Sequence, residues 1–148
     1  MNNISVFIDD ERIPKDVTWL ELPLAKYQIV RGLEDFYYVF EDFLRDNQLP
    51  EVISFDHDLN LFFHEEDLLE LPEEISNIIL SYGIKNNKTY EITGYSILKY
   101  VVYELLKRYE NKTYSKEQIL SMKMVFHTQN LIGKENMKAY WKNFIDFI

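Results

Sequence analysis

The sequence predicts an α/β fold built on a short, mainly parallel sheet. Three apolar, β-type runs each stop at a cluster of polar or ionisable residues. Ile4-Ser5-Val6-Phe7-Ile8 runs into Asp9-Asp10-Glu11-Arg12, Val52-Ile53-Ser54-Phe55 into Asp56-His57-Asp58, and Lys123-Met124-Val125-Phe126 into His127-Thr128-Gln129-Asn130. A strand buried on both faces cannot carry charges in its interior, so each cluster belongs where its strand emerges. The second observation is alternation. Helical patterns separate the strands, which argues for parallel strands joined by right-handed crossovers.

The elements follow in order. Ile4 to Ile8 is the first strand, and Pro14 stops any regular continuation. Residues 15–25 read as irregular, with Trp19, Leu20, Leu22 and Leu24 covering the core. Tyr27 to Val30 is a second strand. Leu33 to Asn47 is a helix, because Phe36, Phe40, Phe43 and Leu44 recur at helical spacing. Residues 52–55 are the third strand. The stretch 60–92 reads as a helical insertion: Leu68, Leu69, Ile75, Ile78 and Ile79 supply apolar faces, and Pro72 argues for a break or for two short helices. Its acidic start, His64-Glu65-Glu66-Asp67, reads as a solvated face, and His64 is given no catalytic role. Residues 83–88 read as loop. Thr93 caps a long helix carrying Ile97, Leu98, Val101, Val102, Leu105 and Leu106. Ser115 to Gln118 has capping-box spacing for a short helix. The strand at 123–126 follows, and Gly133 to Asn136 leads into a last helix with Met137, Tyr140, Trp141, Phe144 and Ile145 on one face. The expectation is one domain over residues 1–148.

Composition narrows the function classes. The chain has 148 residues, no cysteine and a net charge of −9. Disulfides, thiolate metal sites and a cysteine nucleophile are excluded. With an acidic excess and no basic run, coating of duplex nucleic acid is not expected. A small phosphorylated ligand or a nucleic-acid end is compatible if a metal ion offsets the acids. No apolar run approaches membrane-spanning length, and Asp9 and Asp10 interrupt any signal-peptide pattern, so a soluble cytoplasmic protein is the expectation.

In an open α/β sheet, ligands bind at the carboxyl ends of the strands. Asp9, Asp10, Arg12, Asp56, His57, Asp58 and His127 would pool there. The acids suit a hard divalent cation. Asp56 and Asp58 can join that cation, or one of them can orient His57. Two histidines facing one phosphate can act as general base and acid. Arg12 can clamp phosphate oxygens with its planar fork, and the helix start at Gly133 to Asn136 can present backbone N–H groups to an anion.

These same residues resemble two families. Asp9-Asp10, Asp56 and Thr128 resemble the acidic pair, the phospho-acceptor and the switch hydroxyl of two-component receiver domains. The fifth strand and its lysine are missing from that pattern. The closer resemblance is to the cyclic-phosphate-processing receiver-like family. It is carried by Asp9-Asp10-Glu11-Arg12-Ile13-Pro14, Ser54-Phe55-Asp56-His57-Asp58-Leu59, Thr93-Gly94, His127-Thr128-Gln129-Asn130 and Gly133-Lys134-Glu135-Asn136-Met137. It implies a receiver-like (flavodoxin-like) three-layer fold with sheet order 2-1-3-4. The function then expected is phosphoesterase-like opening or hydrolysis of a cyclic phosphate on an RNA end or cyclic nucleotide. Asp9, Asp10 and Asp56 would hold a divalent metal, Mg²⁺ or Mn²⁺. His57 and His127 would act as acid and base, Asp58 would orient a histidine, and Arg12, Thr128 and Asn130 would contact phosphate oxygens. The alternative is a non-catalytic module binding a phosphorylated ligand or a protein partner.

Overall fold

A computed structural model describes residues 4–148. The apolar runs pair as expected. Strands β1 (Ile4–Ile8), β2 (Lys26–Val30), β3 (Val52–Phe55) and β7 (Lys123–Phe126) form a four-stranded parallel sheet of order β2-β1-β3-β7. This is the anticipated 2-1-3-4 order, with β7 as the fourth strand of that sheet. Helices α1 (Leu33–Arg45), α3 (Gly94–Glu110) and α5 (Leu131–Phe147) accompany the sheet, and α4 (Lys116–Ser121) leads into β7. The apolar stripes read from the sequence are the buried ones. Phe36, Phe40, Phe43 and Leu44 of α1, Ile97, Leu98, Val101, Val102 and Leu105 of α3, and Met137 and Phe144 of α5 join Val6, Ile8, Ile53 and Phe55 in one core.

Register, more than strand order, positions the polar side chains. Ile8 pairs with Val30 and with Phe55, and Phe55 pairs with Phe126. The next residue on each strand is therefore Arg31, Asp9, Asp56 or His127, four side chains in one row across the sheet. Backbone bonds extend this row one step past the strands: Asp9 N–H donates to the Val30 carbonyl at 3.2 Å, Asp56 N–H to Ile8 at 2.9 Å and His127 N–H to Phe55 at 3.0 Å. Side chains two residues apart on a strand share a face. Phe7 and Ser54 thus lie under the same side as Asp9 and Asp56.

Several expectations need correction. The stretch 60–92 is not wholly helical. It contains α2 (Glu73–Tyr82) preceded by a 3₁₀ turn, but also a three-stranded antiparallel sheet of order β4-β6-β5, from Leu61–His64, Thr89–Ile92 and Ile84–Asn86. The reason is local and non-local at once. Asn87, at φ 59°, takes the left-handed conformation that turns β5 back onto β6, and β4 then pairs with β6 from Leu61↔Ile92 to His64↔Thr89. The last helix begins at Leu131, before Gly133, because Asn130 caps it by accepting from Gly133 N–H at 3.0 Å. Leu24 does not cover the core; it is fully exposed. Thr93 and Ser115 do cap their helices, each accepting from the backbone N–H three residues on.

Candidate functional site

At the β7 end of the row sits His127, whose ring is entirely buried. Its Nδ1 lies 2.7 Å from the Ser54 hydroxyl and its Nε2 3.0 Å from Asp9 Oδ2. The ring stacks on Phe7, with centroids 4.3 Å apart and planes 6° from parallel. A lone hydroxyl inside an apolar strand needs a partner, and His127 is the partner of Ser54. The Ser54–His127–Asp9 chain has the order of a hydrolase relay, but the Ser54 hydroxyl is sealed in the sheet and does not reach solvent.

Asp9 is held from three sides. Its Oδ1 accepts from the backbone N–H groups of Glu11 (3.0 Å) and Arg12 (2.9 Å), and its Oδ2 meets His127. Burial pushes the carboxyl up, but the His127 hydrogen bond and these backbone donors outweigh it, so its pKa is lowered to about 2. Asp56 is tuned the opposite way. Burial and the neighbouring Asp9 charge raise its pKa, against the pull of His127, its bond from His57 N–H and the Thr128 hydroxyl. Two adjacent buried acids with divergent tuning mark a place built for charge handling.

Asp9, Asp56 and His127 each offer a ligand atom, all within 4.8 Å of one another. Two carboxylate oxygens and one imidazole nitrogen fit a divalent cation, and the nitrogen favours a first-row ion such as Mn²⁺ over Mg²⁺. Asp10, expected in this set, is half-exposed and lies outside it among the described residues. His127, expected as an acid–base group, also offers a candidate ligand atom.

Arg12 closes the site from above. Its Nη1 is 3.7 Å from both Asp9 Oδ2 and Asp56 Oδ2, its guanidinium lies over the Trp19 ring at 5.1 Å, and 29% of the side chain reaches solvent. Gln129 Oε1 accepts from Arg12 Nη2 at 3.5 Å. The loop that carries Arg12 is pinned by Arg31, which donates to the carbonyls of Asp9 (3.2 Å) and Arg12 (2.6 Å). Neither Arg31 nor Trp19 was expected at the site.

His57 stands beside this cluster. Its Nδ1 is 2.9 Å from Asp58 Oδ1, and Asn130 Nδ2 approaches Asp58 Oδ2 (3.2 Å) and the same ring nitrogen (3.4 Å). The shorter Asp58 bond assigns the Nδ1 proton and leaves Nε2 as the lone-pair nitrogen. Among the described residues Nε2 makes no hydrogen bond. Two glycines make room. A Cβ on Gly133 would come 2.5 Å from the His57 ring carbons, and one on Gly94 would come 1.7 Å from the Asp56 carbonyl oxygen. Gly94 N–H donates to the His57 carbonyl at 2.8 Å, so α3 starts directly against the His57 backbone. Thr128 Oγ1 accepts from Asn130 N–H at 3.1 Å, shaping the turn into α5.

The residues of the Asp-Asp-x-Arg, Ser-Phe-Asp-His-Asp and His-Thr-x-Asn stretches thus meet at one end of the sheet. The sequence profile described as Cyclic-phosphate processing Receiver domain matches residues 4–143. The chain belongs to this family. No curated protein and no solved structure matches it. As in a receiver domain, the acids of this cyclic-phosphate processing receiver domain stand at the carboxyl ends of parallel strands. No described helix is long and apolar enough to cross a membrane.

Proposed function

We propose that this domain opens or hydrolyses a cyclic phosphate ester, carried on a cyclic nucleotide or an RNA end. The observation that supports this reading most is the grouping of a partly exposed guanidinium, an imidazole oriented by a carboxylate, and a buried Asp-Asp-His cluster at neighbouring strand ends. Arg12 matches the oxygens of a phosphoryl group and offsets the acids beneath it. Thr128 and Asn130 line the turn beside it and supply further polar contacts. With Nδ1 committed to Asp58, His57 Nε2 accepts the proton of an attacking water. The water oxygen bonds to phosphorus, a ring P–O bond breaks, and the released sugar oxygen takes up a proton, giving a phosphomonoester. Asp58 stabilises the imidazolium that forms. Asp9, Asp56 and His127 would hold the divalent cation, which supplies charge neutralisation on the phosphoryl oxygens. In this reading Nε2 of His127 serves as a ligand atom, and proton transfer from water falls to His57.

The test is turnover of a 2′,3′-cyclic nucleotide by wild type, His57→Ala and Asp58→Asn. The expected result is loss of turnover in His57→Ala and a decrease in Asp58→Asn, with unchanged near-UV circular dichroism. Wild-type rates in both variants would remove the acid–base assignment. One observation favours a second reading, in which the module binds a phosphorylated ligand without chemistry: the ring of His127 is sealed from solvent. Saturable binding without product would support it.

A further inference from the structure

Trp19 lies in the irregular segment before β2, where its sequence context suggests only core cover. It makes two separate contacts with the site. Its indole Nε1–H donates to the His127 carbonyl at 2.7 Å, and its ring carries the Arg12 guanidinium at 5.1 Å. These contacts join the end of β7 to the loop after β1. Tryptophan alone among the side chains offers both a donor N–H and the most electron-rich ring face.

The geometry around Arg12 gives the ring contact its weight. Both carboxylates lie 3.7 Å from Nη1, beyond hydrogen-bonding distance, and the Gln129 contact is 3.5 Å. Charge attraction at such distances draws a guanidinium inward without fixing its plane. A ring face does fix the plane, and so sets where the remaining N–H donors point.

We propose that Trp19 is the positioning residue for Arg12: it holds the guanidinium plane over the Asp9–Asp56 carboxylates and ties it to the His127 strand end. The proposal rests on the reading that Arg12 takes phosphate oxygens, but its structural half is independent of turnover.

Two variants separate the contacts. Trp19→Phe keeps a ring face and loses the N–H; Trp19→Leu loses both. The first measurement is ¹⁵N relaxation of the Arg12 Nε–H, assigned by Arg12→Lys, and it needs no substrate. Wild type should show an ordered Arg12, Trp19→Phe should retain most of that order, and Trp19→Leu should lose it. A wild-type Arg12 as mobile as the exposed Arg45 overturns the proposal without any variant. So does an Arg12 equally ordered in Trp19→Leu, or equally disordered in Trp19→Phe and Trp19→Leu. The second measurement is steady-state kinetics on a 2′,3′-cyclic nucleotide. KM should rise about tenfold in Trp19→Leu, the order of one cation–π contact, with kcat changed less than about threefold. A fall in kcat at constant KM would overturn the positioning role. If wild type shows no turnover while Trp19→Leu still frees Arg12, the proposed function fails and the positioning role stands.

Discussion

Adding one methyl group at Gly133 should disturb His57 through packing alone. The new Cβ would lie 2.5 Å from Cγ and Cδ2 of the His57 ring. Carbon atoms rest comfortably at roughly 3.5–4.0 Å, so ring or helix must recoil by about 1 Å. That displacement stretches the Nδ1–Asp58 bond, now 2.9 Å, past hydrogen-bonding range. Overpacking costs roughly 1–3 kcal/mol, while alanine favours the helix over glycine by up to about 1 kcal/mol. Gly133→Ala should therefore destabilise the fold by about 1–2 kcal/mol. In a His57→Ala background the obstacle is gone, and the same substitution should be neutral or stabilising by up to about 1 kcal/mol. The coupling energy in this double-mutant cycle should be about 2 kcal/mol. Urea denaturation of the four proteins measures it, and thermal unfolding should shift by roughly 2–4 °C per kcal/mol for a chain of this size. An equal cost in both backgrounds would refute the steric reasoning.

Other outcomes follow from the same geometry. Gly94→Ala places a Cβ 1.7 Å from a backbone oxygen, which cannot move aside like a side chain; loss of cooperative folding is expected, checked by circular dichroism. Ser54→Ala leaves His127 Nδ1 without its partner in the core and should cost roughly 1–3 kcal/mol in denaturation experiments. Asp9 has a folded pKa lowered from 3.8 to about 2, so its contribution is present above the unfolded value and lost as pH falls through about 2. That contribution is about 2 kcal/mol, and Asp9→Asn should remove the corresponding acid-dependent step from stability measured between those values. Asp56 has a raised pKa, so its ionised form opposes folding as pH rises; Asp56→Asn should raise the melting temperature at neutral pH and weaken stabilisation by Mn²⁺. In wild type, Mn²⁺ at a hundred times its Kd should add about 2.7 kcal/mol, read by thermal shift.

The strands of the parallel sheet were legible because buried parallel strands are written as continuous apolar runs, and polar clusters marked where they end. The stripes of α1, α3 and α5 were legible from helical spacing. The register was not, because it depends on which strands meet; only the pairing of Ile8, Phe55 and Phe126 puts Asp9, Asp56 and His127 in one row. The segment 60–92 misled for a similar reason. Its apolar residues Leu68, Leu69, Ile75, Ile78 and Ile79 gave local helical signals, while β4 and β6 gain their stability from each other across more than twenty residues. His127 joins Asp9 and Asp56 as a candidate ligand while Asp10 stands outside that group, because a residue just past a strand end can face either side. Ser54 held the clue, as a buried hydroxyl that requires a polar neighbour. Nothing local distinguished Trp19 from ordinary core cover or Arg31 from an ordinary strand-end residue. The helix start at Leu131 was hidden because Asn130 was weighed as a phosphate ligand, and its capping role emerges only from its bond to Gly133.

The decisive assay for cyclic-phosphate chemistry is phosphorus NMR of the wild-type protein. The substrates are 2′,3′-cyclic nucleotides, 3′,5′-cyclic nucleotides, cyclic dinucleotides and an RNA ending in a cyclic phosphate, each with Mg²⁺, Mn²⁺ or chelator. At least one cyclic phosphate should convert to an opened phosphoester, with conversion abolished by His57→Ala and slowed by Arg12→Lys. Ligand-induced shifts with no product from any substrate under any metal condition would contradict that chemistry and identify a binding module.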